Sequence, residues 1–438
     1  MTKNVDLLIH SASQLLTCTA PDGPLSGVNQ RDIGLIENGA VAILDGQITH
    51  VGPTTEVKSA VVARAEMDAA GHVIIPGFVD AHTHVVFAGD RVEEFEQRIA
   101  GATYQKIMAA GGGIMSTVRA TRLASLQELI AQSRKRLNAM LTYGTTTAEA
   151  KTGYGLTFDD ELKILAAISV LNTEHPIDLI PTFLAAHAVP DEYRGRADDF
   201  IDEVVDEMLP RIAVADALLP PLANVAAGKD HPVAVFVDVF CDAGAFNLAQ
   251  SRRVLERARE LGLGLKIHAD EFGSLGGAAL AAELRATSAD HLTVTPHAEI
   301  EQMAEVGMVG VLLPGTTFGL GSNHYADART MIERGLSIAL GTDINPGTCW
   351  CVSMPFMIAL ATRYLHLTPA EAVVAATINA AYASGVGEKV GSLEPGKAGD
   401  LVILDVPDYR HLAYRFGEDL VSTVIKAGRI HEVFSGLA

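Results

Sequence analysis

The chain reads as an α/β protein: a (β/α)8 TIM-like barrel carrying a small β-sandwich domain formed from both chain ends. Three observations point to this architecture. Short β-rich segments open and close the sequence, the long middle alternates strand-like apolar runs with helix-like ones, and side chains able to grip a metal recur where several strand-like runs end.

Residues 1–75 together with 386–438 are expected to form the small β-rich domain, and residues 76–385 the barrel. Strand-like runs occupy 5–9, 39–44 and 47–51, the last two joined by Asp45-Gly46, a pair suited to a tight hairpin turn. The same texture returns at 400–405 and 422–426, and Gly428-Arg429 turns into a further apolar segment. In the middle, Leu126, Leu129, Ile130, Leu137, Met140 and Leu141 recur at helical spacing until Gly144 stops the run. Thr145-Thr146-Thr147-Ala148-Glu149-Ala150 then starts a strand rich in β-branched residues. With the run at 78–84, eight strands are expected, the others at 145–150, 177–186, 233–240, 264–268, 286–291, 309–313 and 337–341. Eight βα units over about 300 residues suit a barrel with insertions, whose reactive groups sit at the C-terminal strand ends. Leu218-Leu219-Pro220-Pro221 reads as a surface excursion, and no short-period repeat or low-complexity tract occurs.

The 438 residues are 48% apolar, enough for one large core and a smaller one. Lys and Arg total 33 against 53 Asp and Glu, a formal charge of -20, so the long-range field repels nucleic-acid phosphates and anionic lipid headgroups. Nucleic acid and membrane are therefore not expected as partners. The same field disfavours an acidic small molecule unless local cations receive it, which draws attention to Arg91. The four cysteines, Cys18, Cys241, Cys349 and Cys351, match neither a disulfide framework nor a CxxC metal site. The first residues turn polar at once, and nowhere do about 18 uncharged apolar residues run together. A cytoplasmic location, with no secretion signal and no membrane span, is the expectation.

His82 and His84 directly follow the run 73–81, and on a strand alternate residues share a face, so both imidazoles would point the same way. The pair alone leaves ligation and ordinary polar packing both open. Later strand ends add to it: Lys151 and Tyr154 follow strand two, His187 ends strand three, His268 with Glu271 ends strand five, His291 ends strand six and Asp343 ends strand eight. A metal-centred site requires such convergence, so these groups are expected to cluster.

On these residues the chain resembles the amidohydrolase superfamily, whose members combine a barrel HxH, a fifth-strand His and an eighth-strand Asp around a catalytic metal. The resemblance narrows with Phe87-Ala88-Gly89-Asp90-Arg91, Gly101-Ala102-Thr103-Tyr104, Ala110-Gly111-Gly112-Gly113-Ile114, Lys151-Thr152-Gly153-Tyr154-Gly155, His268-Ala269-Asp270-Glu271-Phe272 and Asp343-Ile344-Asn345-Pro346-Gly347-Thr348. Together they look like the imidazolonepropionase family, over nearly the whole chain. The resemblance implies that His82, His84, His268 and Asp343 hold one zinc or iron(III) ion. It implies that Arg91, Tyr154, His187, Glu271, Asn345, Gly347 and Thr348 meet the substrate, while Tyr104 either contacts it or simply packs. A second metal would want a lysine ending strand four, as in related enzymes; here that strand ends Cys241-Asp242-Ala243-Gly244, which favours one metal. Lys151 is read as structural or substrate-proximal.

The implied reaction is hydrolysis of a ring C–N bond of 4-imidazolone-5-propanoate, giving N-formimidoyl-L-glutamate. Glu271, His291 and Asp343 are the catalytic candidates: Glu271 or Asp343 would move a proton to the departing nitrogen, and the metal, His187 or His291 would steady charge on the carbonyl oxygen. Arg91 would pair with the propanoate. The expected partners are a small substrate bearing a carboxylate and, at most, a second copy of the chain in a homodimer. A sister enzyme deaminating a cyclic amidine or purine-like ring is the alternative, separated by ammonia release, and a catalytically dead scaffold is disfavoured because all four ligand candidates are present. The run 109–113 lacks the Lys-Ser of a phosphate loop and reads as a turn or flexible lid. Cys349 and Cys351 read as buried small hydrophobes. Residues 216–231 are longer than the family pattern, and Thr342 stands where a Ser is more usual.

Overall fold

The computed structural model describes residues 2–101, 112–215 and 235–432. Tyr104, most of the glycine-rich run at 109–113, and residues 216–231 lie outside or partly outside this set, as does the start of the expected strand at 233–240.

Eight parallel strands lie side by side in chain order: β6 (Phe78–Asp80), β7 (Thr145–Lys151), β8 (Asp178–Ala186), β9 (Phe236–Cys241), β10 (Gly264–Ala269), β11 (Ser288–His291), β12 (Val309–Leu312) and β13 (Ser337–Leu340). Sequential parallel order with helical crossovers is the (β/α)8 arrangement. The seam between first and last strands is stitched just past their ends. Asp343 N donates to His82 O at 2.9 Å and His84 N to Ile344 O at 3.1 Å. Below these, the Asp80 carboxylate accepts from Thr342 N at 2.8 Å and Thr342 Oγ1 at 2.6 Å. A side chain thus substitutes for ladder bonds at the seam, and the hydroxyl of Thr342 serves there as a Ser hydroxyl would. One expectation needs correcting: β6 ends at Asp80, so His82 and His84 sit beyond the strand rather than on it. Their direction is set by the seam bonds to the Asp343–Ile344 backbone.

The crossover helix Leu126–Thr142 begins at a capping box in which Ser125 and Glu128 satisfy each other's backbone N–H groups. It buries Leu129, Leu137 and Met140, and Gly144, at φ 88°, turns the chain into β7. No helix among the described residues is long and apolar enough to cross a membrane.

Both chain ends contribute to a second, mixed sheet, in the order β16 (Arg429–Glu432), β15 (Val421–Lys426), β14 (Leu401–Leu404), β5 (Val73–Pro76), β1 (Lys3–Leu16), β2 (Leu35–Leu44) and β3 (Gln47–Pro53), with β4 (Val61–Asp68) pairing β1. β5 joins the two ends, antiparallel to β14 and parallel to β1. Only Gly77 separates β5 from the barrel's first strand, and a Cβ there would collide with Thr146. The expected strand at 5–9 extends to Lys3–Leu16, because the bulge between Ile9 and Ala12, with Ser11 at φ 62°, lets pairing resume beyond it. Leu7, Ile9 and Leu15 face one core and Val5 and Leu8 another, so burial on both faces hides the alternation a half-buried strand would show.

Candidate active site

Five imidazoles converge above the barrel strands. The ring centroids of His82 and His268 are 4.5 Å apart, those of His268 and His291 5.2 Å, and His84 stacks on His187 at 4.9 Å with 7° between planes. Asp343 completes the group, at φ 51°, a left-handed backbone that is costly for a non-glycine residue and turns its carboxylate toward the rings. Asp343 Oδ1 lies 3.5 Å from His82 Nε2 and 3.6 Å from His84 Nε2, and His84 Nε2 lies 3.4 Å from His268 Nε2. Four ligands each about 2.1 Å from one ion stand about 3.4 Å apart in a tetrahedron. These three separations match that edge, and His82, His84 and Asp343 together could hold an ion. His82 Nε2 is also buried without a hydrogen-bond partner, which is costly unless something fills the space it faces. The donor set therefore fits a metal ion, and its oxygen and nitrogen chemistry suits zinc or iron.

The rest of the constellation lines a cavity of about 590 Å3 opening over this cluster. Glu271 beside His291, Tyr154 beside His187, and Arg91, Asn345 and Thr348 all line it. Gly347 is off this wall, in an adjoining cavity of about 400 Å3, and a Cβ there would collide with the Arg91 guanidinium. Asn345 is fully engaged within its loop: its Nδ2 donates to Asp343 O at 2.8 Å and Thr348 Oγ1 at 2.9 Å, and its Oδ1 accepts from Gly347 N and Thr348 N, both at 2.8 Å.

Electrostatics divides the groups. Burial, reinforced by Lys151 and neighbouring imidazoles, holds His82 and His268 well below the usual imidazole range, and burial with His187 does the same to His84. Burial takes His187 and His291 down to about 4, so all five rings are neutral, the form that ligates. His187 Nδ1 lies 3.0 Å from Gly153 O. A carbonyl only accepts, so Nδ1 carries the proton and Nε2 is a bare acceptor. That leaves His187 able to accept a hydrogen bond at Nε2 but not to donate one there. Burial beside Asp343 raises Glu271 well above the carboxylate range, and burial lifts Asp343 itself to about 7. Glu271 Oε2 stands 3.7 Å from His291 Nδ1.

The sequence pattern of the Amidohydrolase family matches residues 73–431. An imidazolonepropionase from Chloroflexus aggregans is 53% identical over 425 residues, covering 97% of this chain and 98% of its own, and one from Symbiobacterium thermophilum is 50% identical over 429 residues, with 97% of each covered. The chain belongs to the imidazolonepropionase family of amidohydrolases. Its fold is shared by a zinc-bound adenosine deaminase from Xanthomonas campestris, with TM-score 0.71 and 20% identity over 100% of this chain and 95% of that one. A triazine hydrolase variant gives TM-score 0.71 at 16% identity, over 97% and 94%. At those identities the likeness is of fold alone.

Sequence reasoning missed the layer beneath the imidazoles of this imidazolonepropionase-family chain. Asp290 Oδ2 is 2.6 Å from His82 Nδ1, and Asp238 Oδ2 is 2.9 Å from His268 Nδ1, off the ideal hydrogen-bond line. Glu149, Lys151 and Lys266 complete a wholly buried charged network with them. The available signal was an ionisable residue at alternate positions of two strands, Glu149 and Lys151 on β7 and Lys266 and His268 on β10, which marks an inward-facing row. Cys349 is buried as expected, whereas Cys351 is only half-buried.

Proposed function

We infer that this chain hydrolyses the ring of 4-imidazolone-5-propanoate to N-formimidoyl-L-glutamate, a metal-dependent step of histidine degradation. The carrying observation is half or more sequence identity to imidazolonepropionases over their full length, joined to a pocket with an imidazole and carboxylate floor and a guanidinium on its wall. His82, His84, His268 and Asp343 would hold one zinc or iron(III) ion. When bound, that ion supplies Lewis acidity and a water that ionises near neutral pH.

Arg91 would receive the propanoate. Glu94 occupies its Nε at 2.8 Å and Nη2 at 2.7 Å, which leaves Nη1 for the substrate and holds the guanidinium plane in place. His187 Nε2 would accept from a ring N–H. Tyr154, kept protonated by burial, would donate to the ring, and Asn345, Gly347 and Thr348 would shape the wall that seats Arg91. Glu271, raised by burial, is suited to carry a proton to the departing ring nitrogen, with His291 as its neighbour. Asp343 is the second candidate for that transfer, but its Oδ1 faces the imidazoles, so Glu271 is favoured.

Incubating purified protein with imidazolone propanoate, while following ultraviolet absorbance and ammonia together, tests the reading. Loss of the ring chromophore without ammonia is expected; stoichiometric ammonia would point instead to a deaminase, and an unchanged chromophore would contradict the assignment.

A further inference from the structure

Beneath the imidazole cluster runs a set of buried charges to which the reaction assigns no step. Lys151 Nζ lies 2.9 Å from Glu149 Oε1, 2.7 Å from Asp238 Oδ2 and 3.2 Å from Asp290 Oδ2, and all four residues are wholly buried. Burial alone would lower the lysine's proton affinity, but Asp238, Glu149 and Asp290 outweigh it and keep the ammonium charged. The oxygens that Lys151 touches on the two aspartates are the ones facing the ligand candidates: Asp290 Oδ2 toward His82 Nδ1 and Asp238 Oδ2 toward His268 Nδ1. Each aspartate's other oxygen is also taken. Asp290 Oδ1 accepts from Ser288 Oγ at 2.7 Å, and Asp238 Oδ1 accepts from His268 N at 3.1 Å.

We propose that Lys151 is a positioning residue: its single ammonium ties Asp238 and Asp290 in place, and these carboxylates, packed against Nδ1 of His268 and His82, hold the two rings with Nε2 toward one cation. A carboxylate behind a ligating imidazole fixes the orientation of the ring. Without the ammonium, Asp238 and Asp290 would lose the one atom that both contact, and the spacing of the two carboxylates, and with it that of the two rings, would no longer be fixed. Glu149 provides an internal contrast. It contacts Lys151, Lys266 and Thr182 in the same network but makes no hydrogen bond or ion pair with an imidazole.

The inference rests on the reading that His82 and His268 are ligands, and the test separates the two. Full-length protein is stripped with a chelator and reloaded with Zn2+, the zinc dissociation constant is measured by competition with a chromophoric chelator, and melting temperatures are taken with and without zinc. Lys151→Met should weaken zinc binding about 10- to 100-fold, the range typical for groups that orient a ligand, and narrow the gap between loaded and stripped melting temperatures. Glu149→Gln should lower both melting temperatures while leaving zinc affinity within about twofold of wild type, as a purely structural part of the network would. Wild-type zinc affinity in Lys151→Met overturns the proposal, whatever its stability. If the wild-type chain itself takes up no stoichiometric zinc, the ligand reading fails instead. Should Lys151→Met not fold, Asp238→Asn and Asp290→Asn are measured in the same way: each should weaken zinc binding about 10-fold or more, and wild-type affinity in both overturns the proposal.

Discussion

At the scale of single residues, the pocket divides labour between charge recognition and proton movement, and the two are separable by kinetics. Arg91 lines the cavity, and Glu94 holds its guanidinium in place. Arg91→Met should therefore raise KM about 10- to 100-fold, the cost of a charged hydrogen-bonding partner, with metal content unchanged and kcat little altered. Unchanged kcat/KM would reject the role. Glu271 lies inside the cavity, raised by burial and 3.7 Å from His291. Glu271→Gln keeps the shape and removes the proton, so kcat should fall about 10²- to 10⁴-fold while bound metal stays at the wild-type level. A variant with full turnover would transfer the role to Asp343. These roles were legible only in part. Residue types and strand-end positions pointed to ligands, but nothing in sequence spacing shows that His82 and Asp343 meet across the barrel seam, and the family resemblance supplied that step. Asp238 and Asp290 escaped notice because a buried acid beside a ligand looks, in sequence, like any acid in a strand.

At the scale of elements, strands and helices were legible wherever one local signal dominated. The eight barrel strands are short and buried, and their positions follow the sequence to within a few residues except at β6, where the Asp80 side chain takes over from the ladder and the strand stops early. β4 was missed because most of its residues are exposed and it carries little apolar alternation; it is held by parallel pairing to β1. The helix Leu126–Thr142 shows the opposite case, where periodicity, a capping box and a terminal glycine agree. Ser125→Ala removes the box and should destabilise the protein by about 1 kcal/mol in denaturant unfolding, with catalysis unchanged. No measurable loss would mean that the neighbouring packing sets the helix start.

At the scale of the whole molecule, the end-strand sheet is fastened to the barrel by charge as well as by apolar packing. Buried Lys426 on β15 reaches Asp400, just before β14, and Asp178 at the start of barrel strand β8, both at 2.6 Å. Lys426→Met would leave these carboxylates without their shared cation, and breaking such a buried pair costs about 3 to 5 kcal/mol. A large fall in unfolding free energy, with turnover per folded molecule retained, is expected; a loss below about 1 kcal/mol would show that water already solvates the site.

The account depends above all on one ion held by residues just past β6 and β13 and on β10, at the head of the pocket. Anomalous scattering from crystals of fully active protein, recorded across the absorption edge of the metal found by elemental analysis, addresses this directly. It should give one peak per chain at bonding distance from His82 Nε2, His84 Nε2, His268 Nε2 and Asp343 Oδ1. A peak elsewhere, or none in protein that still opens the imidazolone ring, would contradict it.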